Sequence, residues 1–314
     1  MTTHDVPANG ITLRVTEEGA GPAVLLLHGF PELGYSYRHQ LPALAAAGYR
    51  AIAPDQRGYG GSSRPAPIEA YDLDTLAADA LALMDALGER EFVVVGHDWG
   101  APVAWHLALS AADRIRGVVG LSVPYGQRAP GPPLDLMRAA AGPDHIHYVD
   151  YFQTPGLADA ELAANVRDGL LGFYWSISGN VPREERFRPI PRGGRFIDSF
   201  APPKQLPAWL TEAELQVYVD AFTRTGFTGG LNWYRNMNRN WERSADLAGA
   251  LIEPPALFIT GAHDPARGPA AIQRLPDNCA DLRGIHILEG CGHWTQQERP
   301  ADVNRLLIEF LSGL

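Results

Sequence analysis

The 314-residue chain, 46% apolar and 20% charged, is long enough for one large α/β domain, with or without an insertion, and too apolar for disorder. A net charge of −10 disfavours nucleic acid and anionic membrane as partners, because both require a basic patch. MTTHDVPANG, at the start, lacks the basic and apolar regions of a secretory signal, no apolar run approaches a bilayer span, and two cysteines, Cys279 and Cys291, are too few for a disulfide framework; a reduced, cytoplasmic setting is expected.

In chain order, ITLRVTEEG (Ile11 to Gly19) alternates and predicts an edge strand. AVLLLHG (Ala23 to Gly29), YRAIAPD (Tyr49 to Asp55), EFVVVGH (Glu91 to His97) and IRGVVGLS (Ile115 to Ser122) are short continuous apolar runs. Such runs suit strands of a parallel sheet covered on both faces. Helical patterns lie between them, RHQLPALAAAG ending at Gly48 and LDTLAADALALMDALG ending at Gly88, each glycine standing where a helix terminus favours a left-handed residue. The alternation predicts a doubly wound sheet. It stops near Pro124. From Tyr125 to Leu247 no buried strand is predicted, only helical segments: LADAELAANVRDGLLGFYW (Leu157 to Trp175) and TEAELQVYVDAFTRTG, the latter with a capping box of Thr211 and Glu214. The Pro/Arg/Gly-rich stretch from Asn180 to Pro207 should be irregular. Strands resume at PALFITG (Pro255 to Gly261) and GIHILEG (Gly284 to Gly290), and a helix, PADVNRLLIEFLSGL, ends the chain. The expectation is a core of residues 1–124 and 248–314 interrupted by a helical cap, 125–247.

Chemistry enters at GHDWG (Gly96 to Gly100), a strand–turn–helix junction in the G-x-x-x-G frame of a nucleophile elbow, with Asp98 at the centre where an acyl-transfer enzyme carries Ser. Such a turn projects its side chain over the carboxyl edge of the sheet, where open α/β sheets bind ligands. Asp98 read alone could be a helix N-cap. That reading leaves unexplained His28-Gly29, Asp264 and His293, each following a different strand; Asp98, Asp264 and His293 run nucleophile, acid, histidine, the chain order of α/β-hydrolases. Asp264 also suits an Asx-turn, and Asp281 is a less suitably placed substitute acid. GYGGSS lacks the spacing and Lys-Ser/Thr ending of a phosphate loop and predicts a structural turn. His145 and His147 have no further ligand at a set spacing, so no metal is expected.

HGFPE (His28 to Glu32), YRHQ, DQRGYGGSSRP (Asp55 to Pro65), GHDWG, LNWYRNMNRNWE (Leu231 to Glu242) and GCGHWTQQERP (Gly290 to Pro300) together resemble the α/β-hydrolase-fold epoxide hydrolases of the soluble type. The match runs from about His28 to the C-terminus, cap included. The resemblance implies a mostly parallel sheet with an inserted helical cap, no cofactor, and a small apolar epoxide and water as substrates; a homodimer is left open. Asp98, anionic at neutral pH, would attack an sp³ carbon and form an alkyl ester. His293 would activate the water that hydrolyses this ester, with Asp264 orienting it. The backbone N–H groups of Phe30 and Trp99 would form the oxyanion hole. Tyr148 and Tyr234 match the family's ring-opening tyrosines, with Tyr151 as a rival for the first. Pro31, Trp233 and Phe152 are expected to line the substrate pocket.

Two alternatives accompany this reading. A haloalkane or haloacid dehalogenase shares the Asp nucleophile, but its leaving halide wants N–H donors such as indoles, and Phe30 stands where some dehalogenases carry Asn. A non-catalytic receptor with the same pocket would be expected to have lost a catalytic group, and this sequence has lost none.

Overall fold

The apolar runs become the middle of an eight-stranded sheet in a computed structural model that describes residues 1–200, 203 and 205–314. Its strands are β1 (Thr2–Ala8), β2 (Ile11–Glu18), β3 (Ala23–Leu27), β4 (Arg50–Pro54), β5 (Phe92–His97), β6 (Ile115–Leu121), β9 (Ala256–Gly261) and β10 (Leu282–Leu288). They lie in the order β1-β2-β4-β3-β5-β6-β9-β10. From β4 to β10 all neighbours are parallel, while β1/β2 and β2/β4 are antiparallel. Every residue of β3 and β5 is buried. Successive side chains go to opposite faces, as the pleat dictates. Val24, Leu26, Val93 and Val95 pack beneath helices α1 (Gln40–Ala46) and α13 (Pro300–Ser312). Leu25, Leu27 and Val94 pack with α2 (Leu73–Ala86) and α3 (Gly100–Ser110).

The strand Ile11–Glu18 is not the edge predicted for it. β1 lies outside it, joined by a turn at Asn9 and Gly10 with φ of 47° and 73°. That Asn-Gly pair is a hairpin signal. Pro7, exposed in β1, occupies the edge position where a strand tolerates a missing N–H.

The cap sits between β6 and β9. It holds α4 (Pro133–Ala141), α5 (Tyr148–Tyr151), α6 (Leu157–Ala164), α7 (Val166–Ser176), α8 (Glu212–Thr225), α9 (Thr228–Arg235) and α10 (Met237–Arg243). One predicted helix, Leu157 to Trp175, is two: the chain breaks at Asn165, whose side chain accepts from the Asp168 N–H and caps α7. The Thr211/Glu214 capping box is present at α8. Two-residue strands β7 (His145–Ile146) and β8 (Ile190–Pro191) pair in the cap, β8 interrupting the stretch expected to be irregular, of which Ala201, Pro202 and Lys204 lie outside the described residues. No described helix is long and apolar enough to cross a membrane. Helices α11 (Pro269–Asn278) and α12 (Thr295–Glu298) complete the core.

A buried ion pair ties the N-terminal hairpin to this frame. The Arg57 guanidinium donates to both oxygens of Asp79 on α2, each at 2.6 Å, and the Asn9 amide donates to Asp79 at 2.7 Å. Burial raises the Asp79 pKa against these contacts. Removing the carboxylate would strand a buried guanidinium, so Asp79→Ala is expected to lose about 3–5 kcal/mol of stability. A urea midpoint lowered at unchanged m-value is the measurement.

Candidate active site

Asp98 follows β5 directly and has φ of 48°, a left-handed backbone that a non-glycine residue adopts at a cost. The turn is held by close approach on both sides: a Cβ on Gly96 would stand 2.0 Å from the Gly100 carbonyl oxygen, and one on Gly100 2.0 Å from that of Leu27. The N-cap of α3 is Trp99, and the Asp98 carboxylate turns to Phe30 and His293 instead, which disposes of the N-cap reading. Its Oδ1 accepts from the Phe30 N–H at 2.8 Å, and its Oδ2 lies 3.4 Å from His293 Nε2. Phe30 enters this position through a cis bond to Pro31.

His293 Nδ1 donates to Asp264 Oδ1 at 2.9 Å. The same oxygen accepts from the Ala266 N–H at 2.8 Å, so Asp264 is both the Asx-turn residue and the partner of His293. Burial favours neutral His293, but the carboxylates of Asp264 and Asp98 outweigh it and raise its pKa well above the ordinary value. Burial also opposes charge on Asp264, yet His293 and the surrounding donors hold its pKa below the usual carboxylate range. Asp281 is elsewhere, paired with Arg283 at 2.6 Å.

A cavity of about 670 Å³ opens over Asp98, Trp99 and His293. Tyr148 and Tyr234 line it from the cap, their ring centroids 6.1 Å apart. Burial, then the Asp98 charge, raises both phenol pKa values, which keeps the hydroxyls protonated. Tyr151 instead donates to Glu161. Tyr234 reaches its place because the first turn of α9 carries two glycines: a Cβ on Gly229 would stand 2.3 Å from the Gly58 carbonyl oxygen, and one on Gly230 2.7 Å from the Phe30 ring. Pro102, Trp105, Leu109, Val123, Ile177 and Leu247 supply much of the apolar wall.

Pro31, Trp233 and Phe152, expected in the pocket wall, are not among the lining residues. They stand one layer behind. Trp233 is fully buried and its indole N–H donates to the Arg57 carbonyl at 3.1 Å. Phe152 is fully buried against Tyr234, with centroids 5.1 Å apart. The Pro31 carbonyl accepts from the Tyr174 hydroxyl at 2.7 Å. The remaining sequence candidates are structural. Asp55 gathers the N–H groups of Gly34 and Gly61, which makes GYGGSS a turn. His147 accepts from the Val149 N–H, His145 is exposed, and no metal-binding cluster occurs among the described residues.

Sequence reasoning assigned no role to Glu32 and His97. Glu32 is fully buried and accepts from Gly29 N–H (2.9 Å), from His97 Nδ1 (2.6 Å) and from the amides of Gln296 and Gln297 (both 3.0 Å). His97 Nε2 faces the His293 carbonyl at 2.7 Å. Both ring nitrogens of His97 thus stand within hydrogen-bond reach of acceptor oxygens, one from Glu32 and one from the His293 backbone. Burial opposes charge on Glu32, but His97 and the Gly29 N–H overcome it and hold the pKa at about 2. One carboxylate thereby joins the loops carrying Phe30, Asp98 and His293. In the sequence each stands beside a more conspicuous residue, Glu32 in a motif with His28 and His97 next to Asp98, and neither motif marks the pairing.

The family model described as the alpha/beta hydrolase fold matches residues 22–300. A Streptomyces epoxide hydrolase structure superposes with a TM-score of 0.96 at 49% identity, covering 99% of this chain and 95% of that one. The crystal structure of Epoxide Hydrolase A from Mycobacterium thermoresistibile gives a TM-score of 0.94 at 48% identity, covering 100% and 98% of the two chains. Epoxide hydrolase A of Mycobacterium tuberculosis is 49% identical over 318 residues, 100% of this chain and 98% of that protein. Alike in sequence along its full length and in fold, this chain belongs to the epoxide hydrolases of the α/β-hydrolase fold.

Proposed function

We propose that the protein hydrolyses small to medium apolar epoxides to vicinal diols, in two steps, through an ester on Asp98. The observation that carries this reading is the meeting of one carboxylate, one histidine–aspartate pair and two cap tyrosines around a single apolar cavity. The division into core (1–124 and 248–314) and cap (125–247) belongs to the same reading, and the element order supports it.

In the first step Asp98 Oδ2 attacks a ring carbon. Oδ1 is already engaged by the Phe30 N–H and becomes the ester carbonyl oxygen. Tyr148 and Tyr234 bond the epoxide oxygen and deliver a proton as the C–O bond breaks, so the strongly basic alkoxide never forms free. In the second step His293 takes a proton from water, which attacks the ester carbonyl; the acyl C–O bond then breaks, the diol oxygen leaves with the proton held by His293, and the proton released as the Asp98 carboxylate re-forms restores the tyrosine that gave one up. The Phe30 and Trp99 N–H groups receive the oxyanion charge. The ester controls the base electrostatically. At rest His293 stands between two anions. Alkylation neutralises Asp98, removes one of them, lowers the His293 pKa and frees the imidazole to accept a proton. Asp264 stays ionised and steadies the imidazolium that follows.

The same geometry supports an epoxide over a halide. Of the seven tryptophans, Trp105, Trp175, Trp209, Trp233, Trp241 and Trp294 each donate the indole N–H to a protein acceptor. The seventh, Trp99, stands edge-on to the Tyr234 ring with centroids 5.1 Å apart, and the two tyrosine hydroxyls are better suited to an alkoxide than to a halide.

His293→Gln tests the division of labour. The variant is expected to react once with styrene oxide, raising the intact-protein mass by one substrate and holding it there. An unmodified mass after incubation with a substrate that the parent turns over would count against the two-step scheme.

A further inference from the structure

The base of the proposed reaction is held from behind by the cap. The His293 N–H donates to the Ile177 carbonyl at 2.9 Å, and the Ile177 side chain lines the cavity. Two residues on, the backbone of Gly179 presses against the loop before His293, so that an added Cβ would stand 2.5 Å from the Cys291 carbonyl carbon and the Gly290 oxygen. His263 adds a contact from the neighbouring loop, its Nδ1 lying 2.7 Å from the Gly179 carbonyl oxygen.

Glu298 closes this joint. Its Oε2 accepts from the N–H of Gly179 in the cap at 2.8 Å and of Gly292 in the core at 2.9 Å. Its Oε1 accepts from the Trp294 N–H at 3.1 Å. One carboxylate thus receives the N–H groups on both sides of His293 and one from the cap. Only an acceptor at both oxygens satisfies all three, and a buried carboxylate without them would be costly. Glu298 lies outside the cavity wall and bonds to neither Asp98 nor Asp264.

We propose that Glu298 is a positioning residue for the second half-reaction: by locking the His293 loop to the cap segment at residues 177–180, it sets where His293 Nε2 stands over the Asp98 ester. The proposal rests on the two-step reading above. Ring opening uses Asp98, the Phe30 N–H, Tyr148 and Tyr234, none of which Glu298 touches. Ester hydrolysis depends on where the base stands, and a displacement of about an ångström there costs on the order of a hundredfold in rate.

Glu298→Gln keeps the shape but turns an NH₂ group toward N–H donors. Single-turnover reaction with styrene oxide, quenched and followed by intact-protein mass, separates the two half-reactions. Ester formation is expected within roughly twofold of the parent rate and ester decay slowed roughly ten- to a hundredfold. Decay at the parent rate overturns the proposal, and so does equal slowing of both steps, which is what a merely structural loss would give. If Glu298→Gln does not fold, Glu298→Asp is read in its place. It keeps the charge on a shorter arm and should show the same split at smaller size; parent-like decay there overturns the proposal. A parent enzyme that forms no ester removes the two-step reading and this one with it, whereas a parent ester with normal decay in the variants removes the Glu298 role alone.

Discussion

Asp98→Ala is expected to lose roughly 10⁴- to 10⁶-fold in kcat, the scale on which removal of a nucleophile acts. The variant should remain folded, since Trp99 and not Asp98 is the N-cap of α3, and alanine changes little of the strain at φ of 48°. Loss of rate alone would not separate a nucleophile from a carboxylate that merely activates water. The oxygen balance does. In a single turnover with enzyme in excess, in water labelled with heavy oxygen, the new hydroxyl of the first diol comes from the Asp98 carboxylate. The label enters that carboxylate when water attacks the ester. The first diol should therefore be unlabelled and the peptide bearing Asp98 heavier. Label in the first diol formed would mean that water attacked the epoxide directly, and the ester scheme would fall.

The nucleophile was legible because its motif is local: strand, glycine, Asp98, glycine and helix are contiguous, and the turn they form needs no distant residue to define its chemistry. Asp264 and His293 were legible for a related reason. Each follows a strand, and parallel strands deliver the residues after them to one edge of the sheet. What lay beyond sequence reasoning depends on contacts between distant segments. Glu32 and His97 are 65 residues apart, and Glu32 and Gln297 are 265 apart; nothing in either neighbourhood indicates that one carboxylate gathers three loops. The pocket wall failed similarly. Trp233 and Tyr234 share one motif, but on adjacent positions of α9 Tyr234 faces the cavity while Trp233 turns to the Arg57 carbonyl, a choice made by packing. Helix α9 itself opens with Thr228-Gly229-Gly230, poor helix-forming residues, and exists because those glycines let it settle on the loops of Gly58 and Phe30. The N-terminal hairpin was missed for a different reason, since its Asn9-Gly10 turn is a local signal that sat inside a segment read only for its targeting character.

Tyr148→Phe and Tyr234→Phe, made singly, are each expected to keep measurable ring opening, because two donors on one oxygen partly replace each other. The double variant should fall by roughly 10²- to 10⁴-fold, the usual contribution of general acid catalysis. The loss should sit in ester formation and leave ester hydrolysis near the parent rate, since the tyrosines act on the epoxide oxygen and His293 acts on water. Burial and the Asp98 charge hold both phenols protonated, so each begins the reaction able to donate. The Asp98 charge disappears on alkylation, and with it part of that bias, just as the new alkoxide takes up a proton. Rapid-quench measurement of ester formation on all three variants checks this. A control at Tyr151, whose hydroxyl donates to Glu161, separates a ring-opening role from general damage to α5, because Tyr151→Phe should leave ester formation close to the parent value. Ring opening at the parent rate in the double variant would overturn the assignment of both tyrosines, and halide release from a haloalkane by that same protein would move the reading to the dehalogenases.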